Sequence, residues 1–360
     1  MLSALSGRSP KRFVQGDSGV IAKMKSGTWH EAPNSNMDAV GANPVPAGTS
    51  GVKSIMMAWN SGAFDTKRGR LVVWGGGHGN YSGNEIYAFD VNKFSWERLT
   101  EPSSLVGWTD NDIQYQDGRP VSRHTYNTLA YFPPPYDKFF SSCGTVLFQS
   151  GIGDNHSYKF DFDTLEWETV VDLIPMRGIG SFSAWDTVTE TFWQHSTGGA
   201  SYMMQFDPAT DTWTARGDIN SEKQTFIPGG STAVIDPVRR KFISVGSDVV
   251  RVWDISVAGF LEKHTILSTT GDTEITSVKY PGLDYDSDTG QIVAWGGGAD
   301  IYVLDIDAAI WTKVPPAIEN TVTPTSAETN GTYGRFRYMP ALKAFIVVNR
   351  TNENVFIYKT

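Results

Sequence analysis

The stretch IYAFDVNKFSW, residues 86–96, places an apolar strand, an aspartate (Asp90), five further residues and a large aromatic (Trp96) in that order. The arrangement returns four times: SYKFDFDTLEW (157–167, Asp161 and Trp167), MMQFDPATDTW (203–213, Asp207 and Trp213), VRVWDISVAGF (250–260, Asp254 and Phe260) and IYVLDIDAAIW (301–311, Asp305 and Trp311). Each aromatic follows its aspartate by six residues, and successive aspartates are 71, 46, 47 and 51 residues apart. A fixed period near 50 marks stacked supersecondary units, because one such unit cannot bury its apolar face alone.

Upstream of each repeat aspartate the unit reads as three more strands. A turn carries a second recurring aspartate: FDTKRGRL (Asp65), YDKFF (Asp137), WDTVTETF (Asp186), IDPVRRKF (Asp236) and YDSDTGQI (Asp286). A strand running into glycine follows: LVVWGGG (71–77), VLFQSGIG (146–153), FWQHSTGG (192–199), FISVG (242–246) and IVAWGGG (292–298). β-Branched and aromatic runs separated by turn residues read as antiparallel strands, and four per unit make a propeller blade. The last unit, GRFRYMPALKAFIVVNRTNENVFIYKT (334–360), holds only three strands, with Tyr358 in the place before a repeat aspartate. The missing fourth strand is supplied by SGTWHEAP, with Trp29, over residues 28–32. The sequence therefore predicts an all-β, six-bladed propeller whose ring is closed by an N-terminal strand completing the last blade. Closure removes exposed edge strands. Residues 1–26 form a loosely packed lead-in. Residues 27–360 form one domain, with blades at about 50–100, 120–171, 177–215, 227–264, 276–314, and 331–360 plus 27–32. Residues 101–120 read as a long loop rather than a seventh unit.

Composition agrees. Among 360 residues, 12% are aromatic, with 12 Trp to fill interfaces between sheets, and 36 Gly and 18 Pro suit many tight turns. A net charge of −9 argues against nucleic acid or an anionic membrane as main partner. Cys143 is the one cysteine, so no intrachain disulfide and no cysteine metal cluster can form. MLSALSGRSPKRFVQ lacks a continuous apolar stretch, and no run approaches the ~20 apolar residues of a membrane span. A monomer is expected, cytosolic as written, or virion-associated or extracellular after lysis or leader removal.

In this topology one face carries short turns. The other carries the long segments 75–84, 100–122, 215–228, 264–276 and 314–333, and long loops on a rigid scaffold are where binding concentrates. The candidate residues fall there or at the starts of the inner strands. They are His78 and Tyr81, then Arg123, His124 and Tyr126, then Arg177, His156 and His195, then Lys279 and Tyr280, and last Tyr333, Arg335 and Arg337. Basic groups at one slot of several blades in an acidic protein point to an anionic ligand. Arg at a strand start also suits a bridge between blades, and the Gly-Gly clusters suit positive-φ turns.

Other motifs are excluded. DYDSDTG (284–290) has Gly seventh and Trp295 at position twelve, unlike an EF-hand loop, so it reads as a hairpin turn. The histidines lack HxxxH or HxH spacing, GGGHG is not a phosphate-binding GxGxxG, and no GxSxG elbow occurs. No bound metal is expected. Among Glu85, Asp110, Asp112, Asp154 and Glu274 no facing pair of carboxylates stands out for a glycoside hydrolase.

VVWGGGHGNYSGNEIYAFD (72–90), DGRPVSRHTYN (117–127) and NGTYGRFRYMPALKAFIVVN (330–349) resemble bacterial and phage kelch-like propellers with galactose-oxidase-like central domains, over about residues 27–360. Galactose oxidase itself needs copper and a Tyr–Cys crosslink. Cys143, in FFSSCGTVLF, reads as a turn on the opposite face and does not fit. Propeller polysaccharide lyases are closer in kind, although the ulvan lyases have seven blades. That resemblance implies β-elimination on an acidic, uronate-containing polysaccharide, with His124 or His78 as base and Tyr81 or Tyr333 as acid. Arg123, Arg177 and Arg335 would neutralise the carboxylate, and Tyr126, His195, Lys279, Tyr280 and Arg337 would complete the substrate site. No cofactor is implied. The rivals are a glycan- or protein-binding propeller without catalysis, and a glycoside hydrolase.

Overall fold

The structure, a computed structural model, describes residues 18–142, 145–151, 153–172, 180–197, 202–217, 229–261 and 264–360. Six antiparallel sheets stand around one axis. Blade 1 is Gly62–Asp65, Arg70–Val73, Tyr87–Asp90 and Ser95–Arg98. Blades 3, 4 and 5 repeat this meander from inner strands Phe182–Asp186, Thr232–Asp236 and Gly282–Asp286. In blade 6 the strands Phe336–Met339, Ala344–Val347 and Phe356–Lys359 are joined by Trp29–Glu31, with Trp29 opposite Tyr358. The N-terminal strand thus closes the ring as the sequence predicts. Inner strands touch their neighbours all the way round, including blade 6 to blade 1.

The two sequence signatures have separate physical causes. Each repeat aspartate accepts a hydrogen bond from the backbone N–H two residues on, as Asp90 does from Asn92 and Asp207 from Ala209 at 2.8 Å. This side-chain turn fixes the outer hairpin. The residue before the aspartate then faces the aromatic across the ladder: Phe89 with Trp96, Phe160 with Trp167, Phe206 with Trp213 and Leu304 with Trp311. The inner-turn aspartates Asp186, Asp236 and Asp286 cap their hairpins in the same way, and Asp65 accepts from the N–H three residues on, of Arg68.

Two expectations are corrected. Phe260 is 61% exposed, and the outer strand of blade 4 comes later, at Thr265–Ile266. That register brings His264 against Trp253, ring centroids 4.9 Å apart, in the place held by tryptophan elsewhere. In blade 2 the second strand is Lys138–Ser141, not the stretch from 146. Thr145–Leu147 instead pairs with Arg123–His124 and with Gly153–Asp154 in a small extra sheet. This insertion and the strandless segment 101–120 account for the 71-residue first interval. The two pack together through Tyr115, Val121, Leu147 and Phe148 into a lobe on the loop-rich face.

Cys143 and Arg177 lie outside the described residues. Ser18–Lys23 is a short helix whose Ile21 is fully buried, so this part of the lead-in is packed. Among the described residues no helix is long and apolar enough to cross a membrane.

Candidate functional site

Two or three residues before each inner strand begins, the chain makes a sharp bend. Trp59, Tyr126, Gly180, Gly230, Tyr280 and Tyr333 occupy this one slot in blades 1 to 6, and all six have positive φ. The value is +51° for Trp59, +44° for Tyr126, +54° for Tyr280 and +50° for Tyr333. Glycine is the default residue there, and a bulky side chain is an outlier costing roughly 1–2 kcal/mol. Four blades nevertheless carry a large aromatic. These four belong to consecutive blades, 5, 6, 1 and 2, and pack as one cluster at the loop-rich end of the channel. Tyr280 and Tyr333 rings are 4.7 Å apart at 34°. Blades 3 and 4, with glycine, leave the other side of the mouth free of side chain at this slot.

The bend is held by hydrogen bonds between blades: Tyr126 N–H donates to Trp59 C=O (2.7 Å), Tyr280 N–H to Gly230 C=O (2.7 Å) and Thr332 N–H to Tyr280 C=O (2.9 Å). Just inside, the Asn127 amide oxygen accepts from the Ser183 and Ala233 N–H groups at 3.3 and 3.0 Å, tying blades 2, 3 and 4. Asn127 Nδ2, Thr332 Oγ1 and Tyr333 Oη are buried with no hydrogen-bond partner among the described residues. Buried polar groups are seldom left so, and their grouping here marks the mouth as a place for water or ligand hydroxyls. The Tyr280 and Tyr333 hydroxyls influence one another electrostatically without a hydrogen bond of normal geometry, and burial pushes both up.

The histidines extend this cluster. The His124 ring lies 5.1 Å from Trp59, 5.8 Å from Tyr126 and 6.4 Å from His78. Its Nδ1 donates to Ala58 C=O (2.6 Å) and its Nε2 accepts from the His78 N–H (3.2 Å). Burial lowers His124 to about 4, so it is a neutral imidazole with both nitrogens engaged by backbone. His78 itself is exposed at the rim, as is Lys279 across the mouth.

The remaining candidates fall elsewhere. Arg123 is fully buried in the lobe, paired with Asp154 at 2.5 Å and donating to Val121 C=O. That pairing holds Asp154 down to about 2, and His156 Nδ1 lies 2.6 Å from the same carboxylate. Arg335 is fully buried and donates to the carbonyls of Met56, Asn60, Gly331, Val348 and Asn349. It rivets blade 6 to the segment entering blade 1, and burial without a carboxylate partner lowers it to about 10. Tyr81 is buried and donates to Glu85, which also accepts from Tyr87 at 2.8 Å. Burial and Glu85 push the Tyr81 hydroxyl far up. His195 is stacked on Phe182 (5.4 Å, 8°) between blades 3 and 4, its Nδ1 on Ser196 C=O, and burial lowers it to about 3. Arg337 points into the channel nearer the short-turn face, beside Asp284.

Thus the structure brings together His78, His124, Tyr126, Tyr280 and Tyr333, with Lys279 at the rim. It places Arg123, Tyr81 and Arg335 in internal networks. Asp284, Asp286 and Asp288 diverge to Arg337, a turn and Tyr338, and no metal cluster occurs among the described residues. Trp59 escaped the sequence reading. The signal was present: Trp59 stands six residues before Asp65, as Tyr280 does before Asp286.

No family model matches this chain, and no curated protein matches it. Solved structures of similar fold include a structural-genomics protein of unknown function from Bacteroides thetaiotaomicron (13% identity, TM-score 0.50, covering 90% of this chain and 75% of that one). Another is the protein YjhT (12%, TM-score 0.51, 84% and 94%). A third is an auxiliary nutrient binding protein from Bacteroides ovatus (12%, TM-score 0.51, 87% and 75%). At these identities the likeness concerns the propeller fold alone.

Proposed function

We propose that the protein binds a carbohydrate at the loop-rich mouth of its channel, with sugar rings laid against Trp59 and Tyr280. The observation carrying this reading is the set of four bulky aromatics held at positive φ where glycine costs least. Strain of that kind gathers at functional sites, where position is worth more than local stability. Tyr and Trp offer an apolar face with a polar edge, which suits the C–H faces and hydroxyls of a sugar. Lys279 and His78 at the rim suit an acidic sugar, so a uronate-containing polysaccharide is the preferred ligand.

β-Elimination on that ligand is a second reading, favoured by the adjacency of His78 and His124. In this form His78 takes the C5 proton, since His124 has its Nε2 occupied, Lys279 meets the carboxylate, since Arg123 and Arg335 are committed internally, and Tyr333, whose hydroxyl has no partner among the described residues, protonates the leaving glycosidic oxygen as the C4–O bond breaks. The two readings separate in one experiment. Uronate-containing and neutral polysaccharides are titrated calorimetrically, and the same mixtures are followed for the ultraviolet absorbance of an unsaturated uronyl product. Binding by the native protein, lost in Trp59→Ala and Tyr280→Ala without a fall in melting temperature, supports the mouth. Undiminished binding in both variants overturns it. An absorbance rise abolished by His78→Ala makes the protein a lyase. Binding without a rise makes it a binding propeller.

A further inference from the structure

At the opposite end of the channel from the aromatic mouth, the inner strands of all six blades surround a second cavity of about 260 Å³. It opens among the turns that follow those strands, at Thr66, Pro133, Thr187 and Pro237. Its volume corresponds to about nine water molecules in bulk, which suits a small molecule and not a polymer. One slot of the ring is Ala63, Ala130, Ala184 and Val234 in blades 1 to 4, then Asp284 and Arg337 in blades 5 and 6. The next position along is aromatic in five of the six blades, Trp185 among them. The walls are therefore small or flat and apolar, with two charged groups on one side only.

Those two groups are not equally served. The Asp284 carboxylate accepts hydrogen bonds from the backbone N–H of Tyr338 (2.8 Å) and of Tyr285 (3.0 Å). The Arg337 guanidinium forms a long ion pair with it at 3.6 Å, and that guanidinium makes no contact of hydrogen-bond length to the described residues. The Arg337 side chain is 17% exposed and lines the cavity, with Nη2 reaching up the channel beside Gly334. A guanidinium has five N–H donors in a planar fork that matches a carboxylate with two parallel bonds. In surroundings this apolar, an incompletely paired cation attracts an anion strongly. Burial pushes the Asp284 carboxyl up, while Arg337 and the two backbone N–H groups pull it back down.

We propose that this axial cavity binds a small carboxylic acid with a flat apolar body, its carboxylate on Arg337 and its body against the aromatic wall. The site does not depend on the carbohydrate reading and lies at the other end of the ring. The test uses benzoate and indole-3-acetate as probes, with benzamide and benzyl alcohol as neutral counterparts, titrated calorimetrically into the full-length protein. The acids bind saturably, and the neutral compounds bind at least about tenfold more weakly. Arg337→Gln weakens the acids by about tenfold or more. Ala184→Phe fills the cavity without touching a charge and abolishes binding while circular dichroism and melting stay near native. Should Arg337→Gln fail to fold, the acid-to-amide ratio and Ala184→Phe decide alone. The proposal is overturned if neither acid binds at millimolar concentration or if amides bind as well as acids. It is equally overturned if a folded Arg337→Gln or Ala184→Phe protein binds as the native one does.

Discussion

Two buried histidines should make this propeller lose stability as the pH falls from 7.5 to 5. His124 and His195 are 6% and 4% exposed and held neutral, at about 4 and about 3 against an ordinary 6.5. Around His124 stand Trp59, Tyr126 and His78, and around His195 stand Phe182, Trp253, His264 and Arg251. None of these is a carboxylate that would welcome the proton. Because both folded-state values lie below the unfolded value, the unfolded chain takes up protons first. Stability from these groups is complete above pH ~6.5 and is lost as pH falls toward ~3–4. At ~1.4 kcal/mol per pH unit the full losses are about 3 kcal/mol for His124 and about 5 kcal/mol for His195. By pH 5 each has cost about 2 kcal/mol, a large share of a total near 5–15 kcal/mol. Asp154, held at about 2, contributes only below pH ~4 and so does not overlap. The assay is urea denaturation at half-unit pH steps from 8 to 4. These two rings should cost the native protein about 4 kcal/mol between pH 7.5 and 5, offset in part by the raised carboxyls of Glu85 and Asp284, and His195→Gln should lose about 2 kcal/mol less than the native protein. The same pH dependence, to within ~1 kcal/mol, in the native protein and in His195→Gln would show that this ring is not buried as a neutral group.

Two further outcomes concern the ring itself. Arg335→Met leaves five backbone carbonyls at the blade 6 to blade 1 junction without their donor and should cost on the order of 3–5 kcal/mol, read by thermal melting. Arg335→Lys should rescue little, since an ammonium cannot reach so spread a set of acceptors. Trp29→Ala removes the 4%-exposed anchor of the closing strand, whose ring packs tilted against Tyr358 and donates to Ala299 C=O (2.8 Å). It should cost about 3–5 kcal/mol, with protease sensitivity appearing first at residues 27–32 as that strand detaches.

The sequence by itself determined the architecture. Asp90 to Trp96 and its four counterparts record a local geometry, an aspartate-capped hairpin followed by a cross-strand pair, and local geometry repeats in sequence wherever it repeats in space. Trp29 and Tyr358 could be matched across the chain because one blade lacked a strand and the other terminus had one to spare. The rule failed at Phe260, where the outer strand of blade 4 is displaced by several residues, and in blade 2, where an inserted sheet mimics the expected strand. What only the tertiary structure decided is which charges are free. Arg123, Arg335 and Arg337 look alike along the chain. One is bound to Asp154, one to five carbonyls, and one is held only by a 3.6 Å ion pair to Asp284 at the wall of a cavity. The deciding partners, Asp154 for Arg123, Met56 and Asn60 for Arg335 and Asp284 for Arg337, come from another blade or loop, so their nearness has no trace in sequence spacing. The aromatic mouth lies between these cases. The slot six residues before the inner turn was readable, but its meaning depended on a positive φ and on four blades converging at one end of the channel.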